Sequence, residues 1–226
     1  MVLILPPPPT VTPRPLYQTV ALKDTASHKS QTPLVRIFNP ASRYKTQANT
    51  YRYFGPLLRF DHQPPLSKEE TAKLKGKEDP NRGITYWGYT LSCCLVELFG
   101  DTKIVEFNEY EVAIAIIEQP LLLLDIREKG AMAAGSVAAL SSVADRQVSQ
   151  AWSRYFYEQT NIYQEVDGIL YSNAHNGEAA IALYERSKLI IDNAKIQTRP
   201  LKDRSIRHLI DAAVAENNMN CFEPYA

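Results

Sequence analysis

The chain has 226 residues, 45% of them hydrophobic and 22% charged, enough for one large domain with a continuous core. Its 25 basic and 25 acidic residues cancel, which excludes the broad positive field that draws a protein to nucleic acid or to an anionic membrane. Three cysteines, Cys93, Cys94 and Cys221, argue against both a disulfide framework and a zinc site, and they read as reduced thiols in a cytoplasmic compartment.

Residues 1–32 begin MVLILPPPPTVTPRP and sustain no helical or strand period, so they read as a proline-rich arm lying on the surface. The opening has no basic segment and is not a secretion signal. A domain is expected over 33–190. PLVRIFN (33–39) alternates as a strand and carries Arg36 within an apolar element. A charge placed there must be paired or at an edge, because burying it alone is costly. Residues 40–62 interleave arginine with aromatics, including Tyr44, Tyr53 and Arg59. That mixture cradles phosphates and a flat ring; with zero net charge it favours a small nucleotide over a nucleic-acid track. Residues 63–82 are polar and proline-punctuated and read as a surface insertion, with Ser67 as a cap and helical turns over 69–75.

The stretch GITYWGYTLSCCLVELFG (83–100) reads as a strand over 84–86, a turn, an N-cap at Thr90 and a helix over 91–98. Tyr86 and Glu97 stand eleven positions apart, at a strand end and deep in a helix, a spacing that suits two groups meeting over a pocket. The alternative is an ordinary strand tyrosine and a solvent-facing acid. Strands are expected over 111–117 and 121–126, the second buried on both faces. This apolar region is too short and interrupted to span a bilayer. Short alanine-rich helices over 129–142 and a stronger helix over 146–160 follow. DGILY (167–171) and EAAIALY (178–184) read as strands around a polar loop headed by Ser172 and Asn173. The tail from 191 is expected to be a helical extension with a helix over 205–216, preceded by a strand-like KLIID (188–192).

In chain order, LVRIF with Arg36, GPLLRFDH with Arg59, TYWGYTLSCCLVELF with Tyr86 and Glu97, LLLLDIR, and DGILYSNAHNGEAAIALYE with Ser172 resemble the RES domain family, named for its arginine, glutamate and serine. The resemblance implies an α+β, ADP-ribosyltransferase-like fold with a split central β-sheet, flanking helices and a cleft for NAD. It implies an NAD-consuming toxin that breaks the nicotinamide–ribose bond by hydrolysis or phosphorolysis. The alternatives are a protein ADP-ribosyltransferase or an inactive nucleotide- or partner-binding module. It also implies an Xre-like antitoxin partner and a homodimer. On this reading Glu97, Tyr86 and Arg59 are catalytic, and Arg36, Arg59, Tyr86, Ser172 and Asn173 bind substrate. NAD is then substrate, with inorganic phosphate as a second one, and no metal or resident cofactor is needed. Two departures stand out: the extra arm and tail, and Arg59 lying 27 positions before Tyr86 with the charged insertion between them.

Overall fold

The computed structural model describes residues 12–20, 33–42, 45–65, 67, 77–143 and 145–222. In chain order its strands are β1 (Leu16–Val20), β2 (Leu34–Phe38), β3 (Phe54–Gly55), β4 (Lys77–Glu78), β5 (Ile84–Gly88), β6 (Ile104–Val105), β7 (Glu111–Ile116), β8 (Leu121–Asp125), β9 (Gly168–Ser172), β10 (Ala179–Tyr184), β11 (Lys195–Pro200) and β12 (Asn220–Cys221). The helices are α1 (Leu91–Phe99), α2 (Lys129–Ala133), α3 (Arg146–Glu158), α4 (Thr160–Tyr163), α5 (Lys188–Asp192) and α6 (Arg207–Glu216). The expected helical turns over 69–75 lie outside the described residues, as does Tyr44.

Eight strands form one sheet in the order β1-β8-β9-β10-β5-β2-β7-β11. Within this sheet β8 and β9 run parallel and the other described pairs are antiparallel. Strand β10 pairs with β5 over five positions, and β2 with β7 over five. By contrast β2 and β5 share one rung, Val35 opposite Gly88. Beyond it the two strands diverge, and Arg52 takes the place beside Ile84 as an isolated bridge. The architecture is thus α+β with a split central sheet, as the sequence suggests.

The central strands are buried on both faces, which accounts for their near-continuous apolar runs. Alternation sends Leu124, Ile169, Tyr171, Ala182 and Tyr184 into a core covered by Trp152 and Phe156 of α3. Leu121, Leu123, Leu170, Ile181 and Leu183 enter a second core with Leu34, Trp87 and Ile191. A third cluster joins Leu95 and Phe99 of α1 to Val35, Val112 and Ile210 of α6. Each fully buried leucine or isoleucine contributes roughly 1.5–3 kcal/mol of transfer free energy.

Three elements differ from expectation. Leu16–Val20, within the expected arm, is an edge strand in five-residue register with β8. Its side chains are mostly exposed, so it carries no apolar alternation to betray it. Residues 188–192, expected as a strand, are helical and bury Ile191. The tail beyond 191 adds β11 to the sheet edge as well as α6. Its KIQTRP is almost wholly exposed and held by backbone pairing to β7 rather than by side-chain burial.

Gly168 opens β9 where β10 passes closest. A Cβ there would lie 2.3 Å from the Ala182 carbonyl oxygen and 2.9 Å from Leu183 Cα. Gly168→Ala should therefore destabilise the fold by about 1–3 kcal/mol, because the backbone of β10 must move. A thermal denaturation curve that overlays the wild type would refute this.

Candidate active site

The cleft opens where the sheet divides. It has a volume of about 760 Å³ and takes residues from β2, β5, α1 and the loops around them. Arg36, Arg59, Tyr86 and Glu97, four of the residues expected to act together, all line it.

Glu97 is placed by α1. Thr90 caps that helix, its side chain accepting from the Cys93 N–H at 2.9 Å. The inner face of the helix buries Cys93, Cys94 and Leu95, which leaves Glu97 facing the cleft. Glu97 Oε1 accepts a hydrogen bond from the Tyr171 hydroxyl at 3.2 Å. Glu97 is an exposed residue, reached by solvent, with the cleft walls close around its carboxylate. The desolvation they impose raises its pKa above the ordinary glutamate value, against the opposing influences of the Tyr171 hydrogen bond, His175, Arg59 and Arg146. Burial first, then Glu97, pushes the Tyr171 phenol well above its usual value, so it remains a neutral donor.

Tyr86 projects from β5. Its hydroxyl donates to Asp61 Oδ1 at 2.8 Å and accepts from the Phe60 N–H at 3.1 Å. Asp61 is wholly buried. Its two oxygens also accept from one Arg52 nitrogen, Nη2, at 2.7 and 2.8 Å, and Oδ2 accepts from the N–H groups of Leu57 and Leu58. Tyr86, Arg52 and the turn carrying Arg59 therefore share one anchor. Helix α3 braces the same segment: Gln150 donates to the Leu58 carbonyl, Ser153 to that of Phe60 and Arg154 to that of Gln63. His62 is buried between the rings of Tyr157 and Tyr184, with Nε2 3.1 Å from Glu185. Arg59 itself donates to the Val143 carbonyl.

Arg36 gives two N–H bonds to carbonyls of the neighbouring loop, Ala48 at 2.8 Å and Thr50 at 2.9 Å. Both come from Nη1, which leaves the other edge of the guanidinium for the cleft. Burial lowers its pKa to about 10, still cationic at neutral pH. The cleft carries Arg36, Arg52, Arg59 and Arg146 against Glu78, Glu97 and Asp101. His175 stands at its mouth, Nε2 3.7 Å from Asp101.

Ser172 and Asn173 are not part of the cleft lining. Ser172 falls on the face of β9 opposite Tyr171, by the alternation that sends Tyr171 and Leu170 into different cores. Asn173 is buried and holds the loop: it donates to the Cys93 carbonyl at 3.2 Å and accepts from the His175 N–H at 2.7 Å. Tyr53 does line the cleft. Burial raises the Cys93 thiol to about 12, so that sulfur is no nucleophile. Asp61 and Tyr171 escaped the sequence reading, and Arg52 entered it only as one member of the arginine–aromatic stretch over 40–62. The alternation of GILYS could have flagged Tyr171, since it and Ser172 must face opposite ways; nothing local marks Asp61. Among the described residues no group of His, Cys, Asp and Glu is placed to hold a metal ion, and no helix is long and apolar enough to cross a membrane.

The RES domain family profile matches residues 33–203, most of the chain, and the protein belongs to that family. It is 33% identical over 84 residues to the protein named "Probable toxin y4kH" of Sinorhizobium fredii. That match takes in 37% of this chain and spans 64% of the relative's length, just under two thirds. Among solved structures it is similar to the M. tuberculosis MbcT–MbcA toxin–antitoxin complex, with a TM-score of 0.45 and 13% identity over 85% of this chain and 86% of that one.

Proposed function

We propose that the protein consumes NAD by cleaving its nicotinamide–ribose bond, and that it acts as a toxin held in check by an antitoxin protein. The observation that carries the chemistry is Glu97: a carboxylate fixed by Tyr171, inside a cleft whose rim is rich in arginine. Breaking the C1′–N bond returns its electron pair to the pyridinium nitrogen and builds positive charge on the ribose. A preorganised carboxylate stabilises that charge. Oxygen from water or inorganic phosphate then bonds to C1′, and the proton lost by water passes to Glu97 or to solvent. Arg36 and Arg59 hold the pyrophosphate by charge-assisted bonds. The Tyr86 ring lies beside the ribose, its hydroxyl already committed to Asp61. The 33% identity to a protein described as a probable toxin supports the toxin role. The test is nicotinamide release from NAD by the purified protein, with and without phosphate. If none appears in either condition, cleavage is wrong.

A pH prediction follows from the raised pKa of Glu97. Only the ionised carboxylate stabilises the ribose cation, so the rate falls as pH drops through that pKa. The acid limb should therefore lie above the ordinary glutamate value. His175 acts to lower the pKa, so His175→Gln should move the midpoint upward. A downward move in the pH–rate profile would contradict this.

A further inference from the structure

His62 sits where a second ring proton has no acceptor. The residue is wholly buried, its ring between those of Tyr157 and Tyr184 at centroid distances of 4.4 and 4.5 Å. Glu185 Oε2 lies 3.1 Å from Nε2 and can only accept, so the single proton of the neutral ring belongs on Nε2. The other nitrogen, Nδ1, is buried and has no partner among the described residues.

The elements packed around this ring bring charges of both signs. Glu185, in the turn after β10, divides its carboxylate between His62 and the Tyr157 hydroxyl, which donates at 2.6 Å. Arg186 of the same turn lies 3.9 Å from the centre of the Tyr157 ring, and Arg82 lies 5.3 Å from it. Arg82, in the loop before β5, also donates to the His62 carbonyl at 2.9 Å and pairs with Glu158 of α3 at 2.8 Å and with Asp79 at 3.8 Å. Arg154 of α3 donates to the Gln63 carbonyl at 3.1 Å. Along the chain the neighbour is Asp61, already committed to Arg52 and Tyr86. A proton added at Nδ1 makes a charged donor without an acceptor where water does not reach, and that is costly. Burial accordingly holds the His62 pKa below the ordinary histidine value, against the hydrogen bond and charge of Glu185; Arg82 lowers it further and Asp61 opposes.

The ring fastens the segment that carries Arg59 and Asp61. We infer that His62 is an acid-sensitive latch: its protonation favours release of residues 57–63 from α3 and β10, and with them the cleft wall that Arg59 and Asp61 support. The latch is independent of the cleavage reading, and its test needs no turnover. In the released segment the ring titrates near the ordinary value of about 6.5, whereas in the closed protein it stays neutral. Closure is therefore favoured in full above that value and is lost as pH falls from it toward the folded-state value. Between about pH 7.5 and about pH 5.5 the opening constant should rise about tenfold. Glu185 does not confuse the result: burial pushes its pKa up, but the bonds from His62 and Tyr157 outweigh this and hold it below the ordinary glutamate value, so it stays ionised.

Hydrogen exchange on the full chain, corrected for the pH dependence of intrinsic exchange, reads the latch directly. Protection of 57–63 should fall about tenfold across that range while β9 and β10 hold within about twofold. His62→Gln does not titrate and can still donate to Glu185, so it should abolish the fall. His208→Gln removes an exposed histidine on α6 and should leave the fall unchanged. A nuclear magnetic resonance titration of the wild type gives a reading that needs no variant: the His62 ring should remain neutral down to about pH 5.5. A ring that titrates near the ordinary value in the closed protein would overturn the latch. So would protection that does not fall, that falls equally in β9 and β10, or that still falls in His62→Gln. Should that variant fail to fold, the titration and the wild-type exchange decide.

Discussion

On the proposed cleavage reaction, Glu97→Gln should lower nicotinamide release from NAD by about a hundredfold, with little change in KM. Glutamine keeps the size of the side chain and can still accept from Tyr171, so the geometry of the cleft survives. What disappears is the negative charge that meets the ribose as it becomes cationic. One preorganised electrostatic contact of this kind is worth about 2.7–4 kcal/mol of barrier, or about 100- to 1000-fold in rate. The lower end applies because Glu97 is a solvent-exposed residue, where water weakens the field of its charge. Steady-state rates on NAD decide the matter. A variant that kept more than about a tenth of the wild-type rate would show that positioning alone carries the reaction. A large rise in KM at unchanged kcat would make Glu97 a binding group instead.

The second large effect is on stability. Asp61→Ala should cost about 3–5 kcal/mol, the usual range for removing one partner of a buried ion pair. Asp61 is completely inaccessible and accepts from Arg52, Tyr86, Leu57 and Leu58. Its loss leaves the guanidinium, the phenol and two backbone N–H groups without their acceptor. For a domain of this length each kcal/mol shifts the melting temperature by about 2–4 °C, so a drop of roughly 10 °C is expected. Asp61→Asn keeps an acceptor oxygen and should fall between the two. Melting within about 2 °C of the wild type would mean that water replaces the carboxylate without penalty.

The strand–turn–helix unit that carries Tyr86 and Glu97 was legible because its signals are local. Thr90 caps as its side chain dictates, and the apolar spacing of α1 fixes which face is buried. The doubly buried strands β8, β9 and β10 also announced themselves through their apolar runs. Strands β1 and β11 did not, since both are exposed edges whose order comes from backbone pairing. The KLIID segment shows the opposite failure: a short apolar run fits a strand or a helix equally well, and tertiary context made it helical. Within the cleft, the residue types drew attention to Arg36, Arg59, Tyr86 and Glu97. The lateral ties that hold them were invisible. Asp61 lies 25 positions from Tyr86, and Tyr171 lies 74 from Glu97. Such partners meet only through the fold.

The last strand of the sheet bears on behaviour in concentrated solution. β11 leaves one side of its backbone unpaired among the described strands, a potential template for another chain. Lys195, Arg199 and Pro200 stand along it, and all three are exposed. Lys195 pairs with Glu118 and Arg199 with Asp203 along this edge, and proline withholds the N–H that a ninth strand would need. A polar, charged strand ending in proline is a poor template for adding another chain, so the exposed edge of this large sheet is blunted by its own sequence.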